Sequence, residues 1–113
     1  MRPSLIANIA IGIIIGMFQP LLAQDYPGDP ASGRNYTIDW CSDCHRVEQS
    51  ADNPGLAPDF TSIAKLPSTT ALSLRAFFQS NHDRMPDFML NTAEADDIIA
   101  YILSLKARLR NVD

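Results

Sequence analysis

The sequence predicts an all-α fold of three to five helices joined by long loops, and three observations predict it. The C-terminal stretch repeats apolar residues at helical spacing. No segment shows the polar/apolar alternation of a half-buried strand. Region 46–67 is broken by Pro54, Gly55, Pro58 and Pro67 into a loop too long for a small domain unless it wraps around something.

Taken in order, Met1-Arg2-Pro3 carries one positive charge and no acid, and 4–18 then runs almost unbroken in apolar residues. Gln19-Pro20 breaks any helix, and Leu21-Leu22-Ala23 ends in a small residue. This is the layout of a signal peptide, residues 1–23, with cleavage expected between Ala23 and Gln24. The competing reading is an uncleaved anchor. At about 1.5 Å per residue, however, segment 5–18 falls short of a hydrocarbon core of roughly 30 Å. Cleavage leaves one domain, residues 24–113, expected in the periplasm with no stable membrane span.

Segment 24–30, with Pro27, Gly28 and Pro30, reads as a loosely packed extended tail. Asp29 and Pro30 supply the N-cap and first position of a helix over about 31–40, in which Gly33 is a costly choice unless something must approach it closely. A short helical turn is expected around 61–65. Segment 70–80 reads as a helix capped by Thr70, with Leu72, Leu74, Phe77 and Phe78 giving it an apolar side. The two phenylalanines are expected in the core. Segment 81–89 is a loop because Pro86 pushes Met85 out of helical geometry. Asn91 or Thr92 then caps a last helix with acids in its early turns and Lys106, Arg108 and Arg110 near its end, an order that complements the helix dipole. Its stripe is Ile98, Tyr101, Ile102, Leu105 and Leu109.

The chain's 113 residues, with 46 % hydrophobic and 19 % charged, suit one folded domain. Nine bases against thirteen acids give a formal charge of −4, which argues against binding nucleic acid through its phosphates. Losing Arg2 with the leader makes the exported chain one charge more acidic. So small a domain gains much from a staple, whether disulfide, metal or large cofactor.

The two cysteines lie in Cys41-Ser42-Asp43-Cys44-His45. C-x-x-C-H is the attachment pattern of c-type haem: two thiols add to the vinyl groups, and the adjacent imidazole becomes an axial ligand of the iron. Zinc would need four ligands from a chain with two Cys and two His, and the distance to His82 matches no common zinc site. A thioredoxin-like motif would follow a strand in a βαβ unit, and none is visible. A disulfide across two residues adds little stability. All three alternatives leave His45 unexplained. The haem also gives loop 46–67 something to wrap. For the second axial position Met85 is the favoured ligand, since a thioether in a loop held extended by Pro86 can reach across the ring. Met89, which also reads as a core methionine, His82 and an open site are the alternatives.

These residues resemble class I cytochromes c, small monohaem electron carriers, over most of the mature chain. Gly33 stands eight residues before Cys41, like the glycine of the family's first helix. Ile98-Ile99-Ala100-Tyr101-Ile102 is similar to the last-helix motif, and the resemblance implies that these two helices cross closely with the tyrosine at the crossing. Pro58-Asp59-Phe60 is similar to a Pro-x-Leu segment whose proline carbonyl accepts a hydrogen bond from the axial histidine, which gives Pro58 an orienting role toward His45. His82-Asp83-Arg84-Met85-Pro86 looks like the H-x-x-M-P segment around the axial methionine. Two departures stand out. Trp40 is the only tryptophan, so the propionate-bonding tryptophan of mitochondrial members has no counterpart. Tyr36 and Thr37 stand where many relatives place an aromatic ring.

The expected function is periplasmic transfer of one electron on a single covalent haem c with His45/Met85 ligation, between redox protein partners, and not catalysis. The alternatives are a cytochrome subunit of a periplasmic dehydrogenase or respiratory complex, and a haem ligand sensor with an open distal site.

Overall fold

The computed structural model describes residues 26–48, 52, 54–80, 85, 86 and 89–112. The expected signal peptide, its cleavage site and His82 lie outside the described residues.

Among the described residues there are four helices and no strand: α1 Pro30–Cys41, α2 Phe60–Lys65, α3 Ala71–Phe78 and α4 Thr92–Arg110. Each begins on a side chain that satisfies otherwise unpaired N–H groups. Asp29 accepts from Ala31 N and Ser32 N, with Pro30 in the first turn. Asp59 accepts from Ser62 N. Thr70 with Ser73, and Asn91 with Glu94, form reciprocal capping boxes.

The last helix organises the domain. Ile98, Ile99, Tyr101, Ile102 and Leu105 are buried on it and meet Val47, Phe60, Ala64 and Leu74 from the other segments. Ile99, outside the stripe read from the sequence, is fully buried because α4 is covered on more than one side.

Helices α1 and α4 cross with their backbones in contact. A Cβ built at Gly33 would overlap the Asp97 carbonyl and stand 2.9 Å from Ile98 N. Close approach of a second backbone is therefore what this helical glycine provides, against its propensity cost of about 1 kcal/mol. One turn later Thr37 is fully buried, its hydroxyl donating to the Arg34 carbonyl at 2.8 Å. The aromatic residue beside it, Tyr36, turns instead onto Trp40, stacked at 4.7 Å between ring centroids.

Segment 26–29 is no loose tail, which corrects the sequence expectation. The Tyr26 hydroxyl donates to Asp96 Oδ1 at 2.8 Å and accepts from Arg75 at 2.6 Å, while Arg75 is ion-paired with Asp96. Gly28, at a φ of 127°, lies against the backbone of Asp96, and Asp29 N donates to Asp97 Oδ1 at 2.7 Å. The strap thus ties α3 to the start of α4 through polar contacts that leave no mark on apolar periodicity.

At its other end α4 grips the α2–α3 connection. Lys106 Nζ donates to the carbonyls of Leu66 and Thr69 at 3.1 and 2.7 Å, so this lysine does more than complement a dipole. Two further expectations are corrected. Phe77 is 42 % exposed, because the buried side of the short α3 is centred on Leu74. Met89, one reading of which was a core methionine, is 95 % exposed, since it precedes α4 and lies off the apolar face of that helix.

Candidate functional site

Helix α1 ends on Cys41, and the chain turns back at once. Cys44 N and His45 N both donate to the Cys41 carbonyl, at 3.2 and 2.9 Å. One turn of backbone therefore carries both sulfurs and the imidazole. The thiols are free and half-buried. Burial, reinforced by the neighbouring Cys44, pushes the Cys41 thiol up to about 11, so it is protonated at neutral pH.

His45 is oriented from the side. Its Nδ1 lies 2.6 Å from the Pro58 carbonyl oxygen. A carbonyl only accepts, so Nδ1 carries the proton and the Nε2 lone pair is left for a metal. The Phe60 ring stands 5.2 Å from the imidazole and tilted to it by 59°. Pro58 and Phe60 are themselves held in place: Phe60 N donates to the Arg46 carbonyl at 3.0 Å, and Asp59 sits 3.5 Å from the Arg46 guanidinium.

The structure brings Cys41, Cys44, His45 and Pro58 together. Met85 is half-buried in the connection between α3 and α4, and among the described residues no hydrogen bond or ring contact joins it to that group. Sequence reasoning missed two neighbours, the Phe60 ring on His45 and the Tyr101 phenol, which donates to the Val47 carbonyl at 2.8 Å. The signal for Phe60 was its place two residues after Pro58. For Tyr101 the signals were its place on the apolar stripe and in the last-helix motif, neither of which points to Val47.

The donor set tests what this site can hold. Two thiols not joined to each other and an imidazole with its Nε2 free suit two thioether bonds and one axial iron bond. Among the described residues no group of three or more His, Cys, Asp or Glu is placed to hold a bare metal ion. The residues present fit a covalently bound haem.

The comparisons with known proteins agree. A family model described as cytochrome c matches residues 31–106, which takes in the cysteine motif, Pro58, Met85 and most of α4. The chain belongs to the cytochrome c family. It is similar to a protein named cytochrome c-552 from Bradyrhizobium diazoefficiens, at 37 % identity over 83 residues, covering 69 % of this chain and 76 % of the relative. No solved structure gives a significant match. The all-α fold is the cytochrome c fold, and the cofactor is haem c with its iron. As a class I monohaem cytochrome c the chain is a c-type haem protein of electron transfer. None of its described helices is long and apolar enough to cross a membrane.

Proposed function

We propose that this cytochrome carries one electron at a time between redox proteins in the periplasm, with the haem iron held by His45 and Met85. In this reading residues 1–23 are a signal peptide removed after Ala23, and residues 24–113 are the mature domain. Cys41 and Cys44 form the two thioethers. The observation that carries the reading is the 2.6 Å contact between His45 Nδ1 and the Pro58 carbonyl, because it fixes the tautomer and leaves the Nε2 lone pair for a metal.

When bound, the haem supplies a one-electron ferric/ferrous couple. His45 and Met85 would hold the iron in either oxidation state, so little of the polypeptide would have to rearrange when an electron arrives. Methionine ligation raises the potential relative to two histidines. Pro58 polarises His45 and makes it a better donor, and the covalent link keeps the haem in place through repeated partner encounters.

Docking follows from how the basic residues are used. Arg34 pairs with Glu48, Arg46 with Asp59 and Arg75 with Asp96, while Lys106 is turned onto backbone carbonyls. A docking ring of lysines, as in mitochondrial carriers, is excluded by the sequence, which has two. The partner therefore meets an apolar surface around the haem edge or presents a basic face. A transfer rate that does not change with salt excludes the second.

The test is the absorption spectrum of the protein exported from a host that matures c-type cytochromes. Low-spin haem with the weak far-red sulfur-to-iron band is expected, and Met85→Ala should abolish that band while the haem stays covalently attached. A Met85→Ala protein with an unchanged spectrum excludes Met85 as ligand, and a colourless wild type overturns the haem reading of the motif.

A further inference from the structure

Four consecutive residues after the haem cysteines are held in turn by three parts of the fold. His45 meets the Pro58 carbonyl, and the Arg46 carbonyl accepts from Phe60 N at the head of α2. The Val47 carbonyl accepts from Tyr101 on α4, and Glu48 is ion-paired with Arg34 on α1.

Within this series one side chain touches a residue two positions beyond each partner of the bond that orients the histidine. The Tyr101 phenol holds the Val47 carbonyl, two residues beyond the donor His45. Its ring packs against Phe60, two residues beyond the acceptor Pro58, with centroids 6.5 Å apart and planes inclined by 48°. Phe60 in turn leans on the imidazole at 5.2 Å. Tyr101, Phe60 and Val47 are all buried, so neither water nor an alternative partner is at hand for the phenol or the carbonyl. Helix α4 is itself fixed against α1 at Gly33, so the phenol projects from a rigid support.

We propose that Tyr101 is a positioning residue for the axial histidine: by holding the Val47 carbonyl with its hydroxyl and the Phe60 ring with its own, it sets the length of the His45–Pro58 hydrogen bond and the plane of the imidazole. This rests on the reading of His45 as iron ligand. Loosening that bond makes the imidazole a weaker donor to ferric iron, so the potential should rise.

The experiment uses the ferrous holoprotein, wild type and Tyr101→Phe, which keeps the ring and loses the hydroxyl. Nuclear magnetic resonance follows exchange of the His45 Nδ1 proton and the upfield-shifted His45 ring signals, with the backbone amides of Ile98 and Ile99 as internal reference. The expected result is exchange at His45 Nδ1 accelerated tenfold or more beyond any acceleration at those amides, displaced His45 ring signals and a higher reduction potential. Phe60→Leu should displace the ring signals as well, and it carries the same readouts if Tyr101→Phe does not accumulate as holoprotein. Equal acceleration at His45 and at the α4 amides, with ring signals and potential unmoved, overturns the inference and leaves Tyr101 a purely structural residue. A wild type with no upfield-shifted His45 ring signals overturns the ligand assignment, and the inference with it.

Discussion

The segment on the histidine side of the site and the segment bearing the methionines are built differently. Residues 45–48 are held one after another by groups from the 58–60 segment, α4 and α1. Across the α3–α4 connection, Met85 is half-buried and Met89 is 95 % exposed, and among the described residues no polar contact of the kind that holds His45 fixes either. The polypeptide alone specifies the histidine side. A thioether is a weak acceptor, so on the proposed ligation the methionine side would be specified by what its sulfur meets.

The largest expected effect lies at the support of the histidine side. Gly33→Val drives a branched side chain into the Asp97 carbonyl, and the two backbones cannot stay in contact. We expect the holoprotein to lose about 3 kcal/mol or more, read from denaturant unfolding. A loss below about 1 kcal/mol would show that the crossing is looser than described.

Next comes the strap. Tyr26→Phe removes a hydroxyl shared by Asp96 and Arg75 but leaves their ion pair in place, and a cost of about 1 kcal/mol is expected in the same assay.

A pH effect follows at Asp59. Hydrogen bonds from Ser62, first its backbone N–H and then its hydroxyl, hold this carboxylate below its ordinary 3.8, with Arg46 adding to them. A carboxylate depressed in the folded state contributes stability that is present above 3.8 and lost as pH falls through the folded value. Wild type should therefore lose more stability between pH 6 and pH 3 than Asp59→Asn does, measured as urea midpoints. Identical pH profiles would mean that other carboxylates dominate.

The smallest effect is at the exposed methionine. Met89→Ala should change stability by less than about 0.5 kcal/mol and leave the far-red band in place. Loss of the band would transfer the ligand role from Met85 to Met89.

Much of the histidine side was legible because its signals are local. The spacing of Cys41, Cys44 and His45, the caps at Asp29 and Asn91, and the α4 stripe can each be read within a few residues of sequence. Gly33 was legible as a cost in need of a reason. What escaped was long-range and polar: Tyr26 reaching Asp96 and Arg75, Tyr101 reaching Val47, Lys106 reaching the carbonyls of Leu66 and Thr69. Such pairs join residues tens of positions apart and carry no periodicity. Phe77 and Met89 were misread for another reason. An apolar residue type reports a preference for burial, whereas its place on a short helix or in a loop decides whether burial is on offer.

The posture of Lys106 bears on how complexes of this cytochrome are to be captured. The chain has two lysines, and the Lys106 amine is already committed to two carbonyls while Lys65 is exposed. Apart from the chain's own amino terminus, amine-directed cross-linkers therefore report on a single patch at the end of α2. Chemistry that activates carboxylates maps this acidic protein far more densely and is the better route to trapping a partner.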